Sequence, residues 1–218
     1  MTVRVALRIA LTDFYRQSWR LFVLNGALSV SVVTLVVAGT YAPPTLALLV
    51  LVGPLVATLM HCAVTLAQTE ELRLENAVTG LRLHWRRGLV LWLLTLGVLA
   101  AGATAAVVYG RAGGWAWPLS LLMIYLVTLF GVLQLALWPL AVFERDRNLR
   151  GVAADAARAF LRRPIGFLGL AAVLALLNLL GAAAALAPLL TLTVAYSFLA
   201  AAHFTLPRNP IREAAADG

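Results

Sequence analysis

Residues 81–108 read LRLHWRRGLVLWLLTLGVLAAGATAAVV. Three arginines fall in the first seven positions, and the 21 residues of 88–108 carry no charge. A helix needs roughly 20 mostly apolar residues to cross a hydrocarbon core. The stretch therefore reads as a span with a basic collar at its start. The same alternation of basic cluster and apolar run extends outward in both directions. All 17 basic residues are arginine, clustered at 4–20, 73–87, 145–163 and 208–212, with Arg111 standing alone. The nine acids lie in or beside those clusters.

Composition agrees. Apolar residues make up 62% of the 218-residue chain and charged residues 12%, against about 25% charged in an ordinary soluble domain. A net charge of +8 raises nucleic acid as a partner, but these arginines flank apolar spans. A collar drawn to anionic lipid headgroups accounts for them better. The single cysteine, Cys62, lies inside an apolar run. The run 21–39 exceeds the ~7–15 residues of a signal-peptide core, so it is expected to remain as a span.

The fold class that follows is all-α: a polytopic membrane bundle of six spans at 21–39, 45–67, 88–108, 115–143 and two within 165–204. Turns are expected at 40–44, with its paired prolines, and at 110–114. Gly53-Pro54 reads as a kink in the second span. Residues 165–204 are 40 without a formal charge, about the length of two spans, with a turn placed near 181–188; the alternative is one long bent helix, which makes five spans and puts the C-terminal arginines outside. Six spans put both termini and 16 of 17 arginines in the cytoplasm, as the positive-inside rule requires. Tyr41, Tyr109, Trp115 and Trp117 then form an outer aromatic belt, and Trp19, Trp85 and Trp138 an inner one.

Three cytoplasmic segments, 3–20, 70–87 and 146–163, have amphipathic spacing and are expected to lie as helices in the membrane interface. Their apolar faces include Leu74, Val78, Leu81 and Trp85 in the second and Leu149, Val152, Ala156 and Phe160 in the third. The octets DFYRQSWR (13–20), TGLRLHWR (79–86) and DAARAFLR (155–162) align without gaps. They suggest three parallel repeats, 3–68, 69–143 and 146–206, within one transmembrane domain, followed by a cytoplasmic tail at 207–218. Arg16, Arg20, Arg82, Arg86, Arg158 and Arg162, at matching positions, are the candidate lipid or partner contacts. The alternative is that they are ordinary juxtamembrane anchors.

No acid or arginine lies inside an expected span, which weighs against a carrier built on buried carboxylates. His61, Gln134 and Asn178 are the candidate lining of a polar pathway, although interhelical hydrogen bonding is the commoner use of such residues. His61 and Cys62 are adjacent and point to different helix faces, so they fall short of the three or four convergent ligands of a zinc site. Gly97, Gly102, Gly131, Gly166 and Gly169 read as close-packing positions. No catalytic motif is present, and no cofactor or metal is expected.

The order of features also carries a resemblance. Asn25 lies early in the first span and Gly53-Pro54 in the second. An acidic-to-basic helix then ends at Trp85-Arg86, and Pro139-Leu-Ala-Val-Phe143-Glu144 and Arg163-Pro164 follow. Over roughly 21–206 this resembles the YesL-like family of bacterial integral membrane proteins, a domain of unknown function. The resemblance implies a role beside carbohydrate uptake, with subunits of an ABC importer as partners. The expected function is a non-enzymatic inner-membrane accessory protein. The alternatives are a small autonomous carrier or channel and, with least support, a membrane-embedded enzyme acting on lipid.

Overall fold

The computed structural model describes residues 2–69, 71–183 and 192–207. Among these the chain is helical, without strands. The order is α1 (Val3–Arg16), α2 (Ser18–Tyr41), a 3-10 segment (Pro43–Leu51), α3 (Val52–Thr69), α4 (Glu75–Ala112), a 3-10 turn (Gly114–Ala116), α5 (Trp117–Phe143), α6 (Leu149–Arg162), α7 (Pro164–Ala183) and α8 (Val194–Thr205). Five helices are long and apolar enough to cross a membrane, and α8 is a shorter apolar helix.

Local chemistry sets most boundaries. α2 stops where Ala42 turns away from helix before Pro43-Pro44. Pro54 falls in the first turn of α3, where a missing N–H is tolerated. The interruption expected at Gly53-Pro54 is thus a passage from 3-10 to α-helix. Gly113 and Gly114 have φ of 64° and 52°, left-handed values that glycine adopts without a Cβ clash, and they reverse the chain into α5. Asn148 caps α6 by accepting from the Gly151 N–H at 2.7 Å. Arg163 leaves the helix because Pro164 follows it.

α3 is the hub. It packs against α1, α2, α4, α5 and α8, and 61% of its most apolar window is buried, against 11% for α4 and 17% for α5. Lipid is as apolar as leucine, so helices in a bilayer associate through close packing. α3 supplies this with Gly53, Ala57 and Ala63, set around the buried Leu59, Met60 and Leu66.

The largest departure from expectation concerns 70–87. This segment is no separate interfacial helix. From Glu75 it is the first third of α4, a single helix of 38 residues, about 57 Å long at ~1.5 Å per residue. Had 70–87 lain in the membrane plane, Ala67 and Gly88 would stand at one level. Instead α4 runs back along α3. Gly88 meets Ala57 and Gly53, Gly80 meets His61, and the Trp92 indole N–H donates to Leu49 O at 3.0 Å. The physical cause is one buried face, Gly80, His84, Gly88, Leu91 and Thr95, which keeps helical period across the expected boundary with no proline to stop it.

The octets therefore differ in local structure. The first is broken at Gln17, between α1 and α2. The second lies inside continuous helix, and the third ends as α6 ends. α1 stops at Arg16, so Arg20 belongs to α2. α6 begins at Leu149, which leaves Asp146 in the preceding loop. The turn expected near 181–188 falls largely outside the described residues, as do Arg208 and Arg212.

Candidate functional site

Polar side chains gather at the charged ends of the helices. Arg87 extends from α4 to the loop after α5. Its Nη1 donates to Glu144 O at 3.0 Å and to Arg145 O, and its Nη2 donates to Arg147 O at 2.9 Å. A cation that binds the carbonyls beyond a helix C-terminus also opposes the negative end of the dipole. Arg147 pairs with Glu144 at 3.1 Å and with Asp155, and Asp155 pairs with Arg158 at 2.5 Å. This chain of charges fixes α6 to the end of α5. Arg87→Lys should lower stability by about 1.5–3 kcal/mol, since an ammonium cannot serve three carbonyls from one planar fork. An unchanged thermal midpoint in detergent would refute that role.

The six candidate arginines divide by environment. Arg20 is partly buried: its Nη1 donates to Gln17 Oε1 at 3.0 Å and to Leu72 O, tying α2 to the α3–α4 connection. Arg16, Arg82, Arg86, Arg158 and Arg162 are exposed. Arg20 stacks on Trp19 at 5.3 Å and Arg86 on Trp85 at 5.2 Å, the same pair at matching octet positions. Both tryptophans are exposed. Such stacks suit a headgroup region, where one part of the side chain is apolar and the other wet. The third octet has Leu161 in that place.

The three pathway candidates meet different partners. His61 on α3 faces His84 on α4, with ring centroids 5.1 Å apart. Asn178 on α7 donates to Leu174 O at 2.7 Å and to Ser197 Oγ on α8 at 2.9 Å. Gln134 on α5 has both amide atoms buried without a hydrogen-bond partner. Among the described residues no hydrogen bond or ring contact joins the three. Asn178 has the interhelical role common for such residues. The His61–His84 pair was hidden in the sequence, because it requires α4 to run back along α3. Cys62 is buried, and among the described residues no group of three or more His, Cys, Asp or Glu could hold a metal ion.

A second polar contact was also unforeseen. His203 Nε2 lies 2.9 Å from Asp13 Oδ2, both side chains buried, and the Tyr196 hydroxyl donates to Leu7 O at 3.0 Å. These contacts dock α1 on α8. The sequence signal was the buried face Ala6, Ala10 and Asp13, which puts an acid on the apolar side of an amphipathic helix.

The glycines also sort. A Cβ on Gly166 would lie 2.9 Å from Phe204, and one on Gly102 would collide with Val127. Gly97, Gly131 and Gly169 have nothing within 4 Å, so the close packing expected there is not made among the described residues. Compared with known proteins, the chain matches no family model, no curated protein and no solved structure.

Proposed function

We propose that this chain is a non-enzymatic, multi-pass protein of the bacterial inner membrane that assists a transporter through lateral helix contacts. The observation that carries this reading is the contrast between a packed hub and open outer helices. α3 is enclosed, whereas α4 and α5 are buried over only 11% and 17% of their apolar windows. On those open helices Gly97 and Gly131 face empty space. Glycine on an outward helix face allows a neighbouring helix to approach closely. The YesL-like resemblance supplies the kind of partner, the membrane subunits of an ABC sugar importer. In this reading α8 belongs to a sixth span, and both termini are cytoplasmic.

The test is recovery of partners from native membranes in mild detergent. Importer subunits should co-purify in stoichiometric amounts. Gly97→Leu with Gly131→Leu should reduce that recovery several-fold while the thermal midpoint holds. Recovery of the chain alone would defeat the accessory reading.

The buried, unpaired amide of Gln134 favours a second reading, a small carrier whose pathway passes Gln134. In that case liposomes holding only this protein pass solute, and Gln134→Leu stops the flux. A Gln134→Leu variant that is more stable, with no flux in either form, assigns the amide to the folded core alone.

A further inference from the structure

The continuity of α4 leaves an apolar surface uncovered. Along its first third Val78, Leu81 and Trp85 are exposed, as is Leu74 just before it, although Gly80, His84 and Gly88 on another face are buried against α3. Beside that strip runs an open groove of about 220 Å³. Its walls are Leu24 and Leu28 of α2 and Ala77 and Leu81 of α4, and its floor is Leu55 and Leu59 of α3. Ser31 and Thr58 also line it, but their hydroxyls already donate to Ala27 O and Pro54 O, each at 2.8 Å. The groove thus offers an occupant no free side-chain donor, and its remaining lining is aliphatic, which suits a hydrocarbon chain.

Charge fixes the rest of the occupant. Arg82 follows Leu81 directly, and Arg86 lies over the exposed Trp85. Both are exposed on the same third of α4 as the groove wall. The acids of the region, Glu70, Glu71 and Glu75, all precede Arg82 by seven residues or more, so an anionic group is placed on the Arg82–Arg86 side. We propose that this groove is a binding site for one anionic phospholipid, with an acyl chain between α2, α3 and α4 and the phosphate held by Arg82 and Arg86. The proposal rests on the membrane placement above and is independent of the importer partner.

The test uses the full chain purified in mild detergent, delipidated, and mixed with micelles containing either phosphatidylglycerol or phosphatidylcholine. Bound lipid is counted by native mass spectrometry. Wild type should retain one phosphatidylglycerol, with about a tenfold preference over phosphatidylcholine, because each arginine near an anionic lipid adds several-fold to partitioning. Ala27→Trp, at an exposed position of the α2 wall, should abolish retention. Arg82→Gln with Arg86→Gln should bring the two lipids to parity. If Ala27→Trp does not fold, Val78→Trp fills the groove from the opposite wall. Equal retention of both lipids by wild type overturns the proposal. So does undiminished retention by the tryptophan variant, or a delipidated dimer that the tryptophan variant disrupts, which would assign the groove to a second copy. Failed importer recovery with selective lipid retention would sink only the accessory reading.

Discussion

Gly88→Leu is expected to separate α3 from α4 and to be the most damaging single substitution in the helical hub. A Cβ at Gly88 would lie 2.6 Å from Ala57 Cβ and 2.8 Å from Gly53 O. One at Gly53 would lie 2.5 Å from Trp92 Cβ and 2.7 Å from Gly88 O. The obstructing atoms nearest each site are Cβ and backbone atoms, which no rotamer change moves. Overpacking of this kind costs about 1–3 kcal/mol, and leucine adds three further carbons that must enter the same gap. The control is Gly97 on the same helix, which faces open space. There Gly97→Ala should stabilise by about 0.5–1 kcal/mol through helix propensity alone. Thermal midpoints in detergent measure both. Register is checked separately in a Cys62→Ala background. His61→Cys with His84→Cys, whose native rings lie 5.1 Å apart, should be joined by a short bifunctional thiol reagent, and Ala67→Cys with His84→Cys should not. The reverse result would restore 70–87 as a separate interfacial helix and remove the lipid groove.

That register also shows where the sequence was readable. Helix ends were legible wherever backbone chemistry compels them: the paired prolines after Ala42, Gly113-Gly114 with positive φ, and Arg163 before Pro164. The course of α4 was not legible from charge. In the sequence the arginines at 82, 86 and 87 read as a membrane boundary, but a charge boundary does not stop a helix. The decisive pattern was the period of Gly80, His84, Gly88, Leu91 and Thr95, which continues through it. The break at Gln17 has no local signal of that kind. α1 makes its closest polar contacts with α8, and tertiary docking of this sort redirects a chain without marking the residue where it turns. The candidate site was legible to a similar degree. Asn178 was recognisable as an interhelical residue, while the partners of His61 and Asp13 depended on helix pairings that no local pattern encodes.

Removal of either member of the Asp13–His203 contact should release α1 from the bundle. The two side chains are 7% and 8% exposed, and 2.9 Å separates Nε2 from Oδ2. At this burial water does little to replace a lost partner. A hydrogen bond to a charged group contributes about 1.5–3 kcal/mol, and His203→Leu forfeits it while keeping most of the volume. Asp13→Leu should cost a similar amount. The double variant should cost less than the two together, because an apolar pair in a buried site is often as stable as the polar pair it replaces. Tyr196→Phe removes the second tie, the hydroxyl to Leu7 O, but keeps the edge-on ring contact with Phe14 at 6.1 Å. It should therefore weaken docking by only about 1 kcal/mol. Two readouts separate local release from global unfolding. Trypsin cleavage at Arg4, Arg8 and Arg16 should speed up in His203→Leu, whereas cleavage in α4 and α6 should not. Strict additivity of the Asp13 and His203 variants would show that the two side chains are stabilised by other neighbours. α1 would then be held by the packing of Ala6 and Ala10 and by the Tyr196 contacts with Leu7 and Phe14.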